Sequence, residues 1–153
     1  MSTEYDQSTM TIDERIAFGR AARERVSRKG HGEWSPAPDR RDPVEFIEEQ
    51  AATRVPELVP LRHGRMSTSA FAFFRGAALV MAADLASVPD SGLTVQLCGD
   101  AHLSNFGLFQ SPERKLVFSV NDFHGTLPGP FERAVKRLAA TIEVAAPSRG
   151  FPY

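Results

Sequence analysis

The residues best suited to chemistry lie in the segment Cys98–Gly107, which reads C-G-D-A-H-L-S-N-F-G. Asp100 and Asn105 have the spacing D-x-x-x-x-N, and Asp122 follows a second apolar segment farther along the chain. A carboxylate that accepts a proton, with an amide oxygen and a second carboxylate facing one cation, suits phosphoryl transfer with Mg²⁺. The pattern therefore indicates phosphoryl transfer as one candidate chemistry.

Two D-x-H pairs indicate a second chemistry for the same segments. Asp100 and His102 form one pair, and Asp122 and His124 form the other. Alternate residues of an extended segment face the same side, so two such pairs could hold one or two transition metals for hydrolysis. A third interpretation is structural, because Asp and Asn are favoured in turns. In that interpretation His102 is a hydrogen-bonded core histidine, and the residues alone leave all three interpretations open.

Arg75 is a candidate for binding a cofactor. It lies on a predicted helix at 67–86 that is apolar on most sides, and we expect that helix to be buried in the core. A buried guanidinium needs a partner. We expect that partner to be Asp84, Asp100, Asp122 or a bound phosphate.

The apolar patterns around these residues predict an α+β fold. Strands are predicted at 93–97 and 115–120, and each delivers a polar cluster at its C-terminal end. Helices are predicted at 11–29, 42–54, 67–86 and 130–146, and residues 56–66 are predicted to contain an extended segment. We expect the helices to pack on a small sheet in which the two predicted strands are neighbours. So few strands predict an incomplete domain.

Composition narrows the class of protein and its location. With 18 Lys and Arg residues against 19 Asp and Glu residues, the formal net charge is −1, which does not favour nucleic acid or an anionic membrane as a partner. The single cysteine, Cys98, fits a reducing cytoplasm. The N-terminus shows no secretory signal, and the longest apolar run is interrupted by charges. We expect a cytoplasmic protein without nucleic-acid or membrane partners.

Several short sequence blocks within residues 43–146 resemble a known family. In order they read P-V, L-V-P, G-R-M, F-A-F-F-R-G-A-A, C-G-D-A-H-L-S-N-F-G, N-D-F, L-P-G-P-F-E and K-R-L-A-A. Together they resemble the N-terminal part of the bacterial family called domain of unknown function 2252. We accordingly divide the chain into a partly disordered arm with one helix and a linker, 1–41, and a fragment of that family's domain, 42–153.

The resemblance implies a kinase-like phosphotransferase, because that family is thought to be related to the protein-kinase-like fold and to aminoglycoside-phosphotransferase-like enzymes. Residues 98–105 are similar to the kinase catalytic loop H-R-D-L-x-x-x-N and closer to the phosphotransferase form H-G-D-x-H-x-x-N. By this resemblance Asp100 would be the base, Asn105 a magnesium ligand and Asp122 the aspartate of the D-F-G element. His102 is the second candidate catalytic residue, and Mg and ATP are the implied cofactors.

The chain also departs from the family pattern. Acidic positions of that pattern are replaced at Ser119, His124, Gly125 and Ala134. The Gly-rich segment and strand-borne lysine that the resemblance implies for nucleotide binding have no counterpart among these 153 residues. The chain alone is therefore expected to have little or no activity.

Two further expectations concern the role of the chain and its partners. A non-catalytic remnant or interaction module is the main alternative to an enzyme fragment. We also expect an exposed apolar patch through which the chain binds the missing half of the domain or a second copy of itself.

Overall fold

The computed structural model describes residues 9–123, 125–147 and 150 of the chain. These residues form the α+β fold predicted from the sequence. Its helices are α1 Ile12–Arg25, α2 Pro43–Ala51, α3 Val59–Met66, α4 Ala70–Gly76, α5 Ala78–Asp84 and α6 Phe131–Ala145. Its strands are β1 Thr94–Leu97, β2 Phe106–Gln110, β3 Leu116–Val120 and β4 Leu127–Pro130. Within the described part of the chain, no helix has the length and apolar character needed to cross a membrane.

The first two helices begin where the sequence predicts. Thr11 and Glu14 form a reciprocal capping box at the start of α1, and the Asp42 side chain accepts a hydrogen bond from the Val44 amide at the start of α2. Both helices end three or four residues earlier than predicted. The N-terminal arm contacts the rest of the chain, because Ala22 is buried and an Arg25 side-chain nitrogen donates to the Ser91 carbonyl oxygen.

The segment 59–86 differs from the prediction in two ways. Residues 59–66 form the helix α3 and are not extended, because Pro60 lies in the first helical turn, where its missing N–H is not needed. The predicted helix 67–86 is interrupted at Ala77, which has φ −111° and ψ 36°. A Cβ atom at Gly76 would lie 2.6 Å from the Met66 sulfur, so the close packing of α3 on α4 occurs directly before this break.

The strands form two separate antiparallel sheets of two strands each. β1 pairs with β4, and β2 pairs with β3. The prediction that β1 and β3 are neighbours is therefore wrong, and the strands β2 and β4 were not predicted. Sequence reasoning missed β4 because it contains two prolines, which lack a ladder donor and are tolerated mainly at sheet edges.

The helix α6 lies at the centre of the fold and contacts β1, β4 and α4. Its position was predicted correctly, but its buried face was not. Val135 and Ile142 of the predicted apolar stripe are 56% and 53% exposed, whereas Arg137 and Thr141 are buried. The helix turns these polar residues inward because both find hydrogen-bond partners in the neighbouring elements.

Candidate functional site

Asn105 joins the two loops that carry the predicted site residues. It is buried at the end of a short 3₁₀ turn, Leu103–Asn105, directly before β2. Its Nδ2 donates to the carbonyl oxygens of Asp100 and Asp122, each at 3.0 Å, and its Oδ1 accepts from the Asp122 amide at 2.8 Å. The structure thus brings Asp100, Asn105 and Asp122 together through one side chain, although their strands belong to different sheets.

The Asp100 carboxylate is held by Arg137 of α6. The Arg137 Nε donates to Asp100 Oδ1 at 2.6 Å, and its Nη2 lies 2.5 Å from the same oxygen. Nη2 also donates to the Phe74 carbonyl oxygen at 3.0 Å, and the guanidinium lies 4.4 Å from the centre of the Phe74 ring. The Asp100 side chain is 32% exposed while that of Arg137 is 5% exposed, so the carboxylate is oriented from the protein side and stays accessible from the other.

His102 lies beside this ion pair, and its surroundings favour a neutral imidazole. Its Nε2 is 3.7 Å from Asp100 Oδ2, which is too long for a hydrogen bond. Burial lowers the pKa of His102; the Asp100 charge opposes this, and the positive charges of Arg75 and Arg137 lower the pKa further. Its Nδ1 is buried and has no hydrogen-bond partner among the described residues.

Asp122 is exposed two residues beyond the end of β3, and its main chain is fixed by Asn105. His124, the second residue of the downstream D-x-H pair, lies outside the described residues. Within the described ranges no three His, Cys, Asp or Glu side chains are grouped so that they could hold a metal ion. The Asn105 and Asp122 oxygens are hard donors of the kind that Mg²⁺ takes in small number alongside phosphate oxygens.

Arg75 is exposed on α4, so the expectation that it is buried was wrong. Two of its expected acidic partners are bound elsewhere, because Asp84 pairs with Arg40 and Asp100 pairs with Arg137. The Arg75 side chain makes no hydrogen bond or ion pair with any residue that the structure describes. Its effect on the pKa of His102 nevertheless indicates that it lies near the Asp100 loop.

Arg137 is the site residue that sequence reasoning missed. It was recognised only as part of the block K-R-L-A-A, with no role of its own. Arg137 could have been recognised as a basic residue inside a helix that packs on other elements of the fold. A guanidinium buried in such a position requires an acidic partner. Asp100 is that partner.

Taken together, the fold and the site define an α+β protein with an aspartate, an asparagine and a second aspartate gathered at the junction of two small sheets. Residues 54–153 match the family model of uncharacterised proteins conserved in bacteria, domain of unknown function 2252. The chain therefore belongs to that family. No curated protein and no solved structure matches it.

Proposed function

We propose that this chain carries the base and the magnesium ligands of a phosphotransferase that moves a phosphoryl group from ATP to a hydroxyl. The observation that carries the proposal is the set of three Asn105 side-chain hydrogen bonds, which hold the Asp100 and Asp122 loops side by side. Phosphoryl transfer depends mainly on positioning and electrostatic stabilisation, so a fixed arrangement of these groups is what the reaction requires.

Asp100 is the proposed base. As the acceptor hydroxyl oxygen forms a bond to the γ-phosphorus of ATP, its proton passes to the Asp100 carboxylate. The bond between that phosphorus and the bridging oxygen breaks, and ADP leaves with the bond's electron pair. Arg137 is a positioning residue in this scheme, because it binds one carboxylate oxygen and fixes the direction of the other.

Asn105 and Asp122 are the proposed magnesium ligands. The Asn105 Oδ1 accepts one hydrogen bond and retains a second lone pair, and the Asp122 side chain is exposed. A cation at these oxygens would neutralise charge on the phosphates. Two protein donors are consistent with the usual coordination of Mg²⁺, which keeps several waters and completes its shell with substrate phosphates.

Nucleotide binding is the part of the reaction for which these 153 residues supply no recognised element. They contain no G-x-G-x-x-G segment. We expect no phosphoryl transfer above background by the chain alone, measured with radiolabelled ATP and a panel of hydroxyl compounds. Transfer that disappears in Asp100→Asn would overturn this expectation.

The single cysteine and the use of ATP together lead us to propose a cytoplasmic location.

The proposal is tested by titrating the chain with Mg²⁺ and recording amide chemical shifts. Weak, saturable shifts at Asn105 and Asp122 are expected. They should be lost in Asp122→Asn and kept in the matched control Asp39→Asn, which removes the same charge from an exposed residue outside the site. Tight Zn²⁺ binding at Asp100 and His102 with no response to Mg²⁺ would contradict the proposal and favour the hydrolase.

An interaction module is the second candidate, favoured by the apolar surface of the β2–β3 hairpin. Leu108, Leu116 and Phe118 are 67%, 74% and 68% exposed. Exposed apolar side chains grouped in this way are typical of a surface that binds another protein. This role does not exclude the first, because the hairpin and the Asp100 carboxylate lie on different elements.

A further inference from the structure

A cavity of about 430 Å³ lies beside the Asp100 loop, between α5, α6 and the β1–β4 sheet. Its volume is within the range of small-molecule sites, which are mostly apolar with a few polar groups. Most of its wall is apolar and comes from residues such as Ala78, Met81, Leu97, Leu127, Pro128 and Ala134. A ligand that fills it must therefore offer an apolar body.

Charged groups of the cavity wall come from the Asp100 loop and from α6. Asp100, Arg133 and Arg137 contribute to it. Asp100 and Arg137 neutralise each other in their ion pair. The Arg133 side chain forms no hydrogen bond or ion pair within the described part of the chain, so the three groups leave one net positive charge on the wall. That charge favours an anionic group on the ligand.

We propose that this cavity binds the acceptor substrate, and that the substrate is an amphipathic hydroxyl compound with an anionic group. The apolar body fills the space between α5 and α6, the hydroxyl faces Asp100, and the anionic group faces Arg133. The role of the ligand's hydroxyl as the phosphoryl acceptor rests on the proposed function. The preference for an anionic amphiphile rests on the cavity wall alone.

The test is a titration of the chain with ω-hydroxydecanoate in the absence of metal and nucleotide, followed by amide spectra. Decanediol, which lacks the anionic group, and decanoate, which lacks the hydroxyl, are compared under the same conditions. We expect saturable shifts at cavity residues such as Ala78 and Ala134. We expect the hydroxy acid to bind more tightly than either comparison compound.

Two variants, each with a matched control, test whether the ligand lies in the cavity. Ala82→Phe adds bulk at an exposed residue of the cavity wall and should weaken binding by about tenfold or more. Ala139→Phe adds the same bulk to an exposed residue outside it and should not. Arg133→Gln should weaken binding of the hydroxy acid about fivefold and leave decanediol unchanged. Lys136→Gln removes the same charge from the same helix outside the cavity wall and should change neither.

The inference is overturned if none of the three compounds shifts the cavity residues, or if the control variants weaken binding as much as the cavity variants. Equal binding of decanediol and ω-hydroxydecanoate would overturn the role of Arg133, and equal binding of decanoate would overturn the position of the hydroxyl. The ligand titration contains no cation, so it is independent of the Mg²⁺ titration. Failure of the Mg²⁺ titration would exclude the proposed reaction, but it would not explain an absence of ligand binding to the cavity.

Discussion

The two small sheets of this protein are stabilised in different ways. The β1–β4 sheet packs on α6, and a Cβ atom at Gly129 would lie 2.7 Å from the Leu97 side chain, which shows how closely its two strands fit. The β2–β3 hairpin exposes Leu108 and Leu116 on one of its two faces. An isolated two-stranded hairpin is marginally stable in water. The first sheet is thus held by its contacts with α6, although Val95 and Leu127 are 44% and 59% exposed, and the second depends on the attachment at its base.

That attachment is the candidate site itself. The Leu103 amide donates to Thr141 of α6 at 3.4 Å, and Asn105 then connects the Asp100 loop to Asp122. Asp100 belongs to the packed region, whereas Asp122 belongs to the hairpin. The site therefore forms only while the hairpin stays joined to the packed region, so its chemistry and the stability of the hairpin base are linked.

The largest effect is expected in the packed region, from Arg137→Ala. This substitution removes the bonds to Asp100 and the Phe74 carbonyl oxygen and leaves a partly buried carboxylate without its partner. We expect the free energy of unfolding to fall by about 3 kcal/mol, as measured by urea denaturation. Arg23→Ala is the control, because its side chain is exposed on α1 and should change the free energy by less than about 0.5 kcal/mol. Equal changes in the free energy of unfolding for the two variants would show that the Arg137 contacts do not stabilise the fold.

A somewhat smaller effect is expected at the base of the hairpin, from Asn105→Ala. Three hydrogen bonds to main-chain groups are lost, and we expect a cost of about 2 kcal/mol in the free energy of unfolding. Gln110→Ala, at the far end of β2, removes one long exposed bond and should cost less than about 0.5 kcal/mol. If both variants cost the same, the hairpin is not held at its base.

A pH effect is expected from His102. Burial lowers the pKa of this imidazole below its ordinary value of 6.5, a shift that Arg75 and Arg137 increase and Asp100 opposes. The unfolded chain therefore binds the proton more readily than the folded chain. Stability from this group is complete above pH 6.5 and is lost as pH falls toward the folded pKa.

The measurement for this prediction compares the free energy of unfolding at about pH 7.5 and about pH 5.5. The loss at the lower pH should be smaller in His102→Asn than in the wild type. His63→Asn is the control, because that histidine lies on α3 and its Nδ1 is near Glu48, at 3.9 Å from Oε1, and not near Asp100. An identical pH dependence in the wild type and His102→Asn would contradict the prediction.

The smallest effect on stability is expected on the exposed face of the hairpin. Leu108→Ser combined with Leu116→Ser should change the free energy of unfolding by less than about 0.5 kcal/mol, because both side chains are mostly in water. Leu85→Ala, a buried residue, should cost about 2 kcal/mol or more. Sedimentation should show reduced self-association of the double variant if the hairpin binds a second copy, and unchanged association would contradict that role.

Local signals in the sequence predicted part of this structure well. Capping at Thr11 and Asp42 and the apolar runs of β1 and β3 depend on neighbouring residues, and these elements lie where they were expected. Strand pairing depends on contacts distant in sequence. The partners of β1 and β3 were therefore missed, together with the proline-containing strand β4.

The proximity of three candidate residues was predictable from the sequence, but the rest of the candidate site was not. The spacing of Asp100 and Asn105 and the position of Asp122 selected three residues that the structure brings together. The burial of Arg75 was inferred from one long apolar helix, and it failed because that helix breaks at Ala77. Arg137 was missed because a charged residue on a helix is usually exposed, and only the tertiary structure places it against Asp100.

Line broadening of amide signals by Mn²⁺, used in place of Mg²⁺, locates the cation relative to Asn105 and Asp122, because the effect depends on distance from the cation. If Asn105 and Asp122 are the ligands, the amides of Asn105, Asn121 and Asp122 broaden at the lowest Mn²⁺ concentration. We also expect this broadening to be lost in Asp122→Asn and kept in Asp39→Asn. Broadening that starts at acidic residues elsewhere, or that persists unchanged in Asp122→Asn, would contradict the assignment of the junction between the two sheets as the cation site.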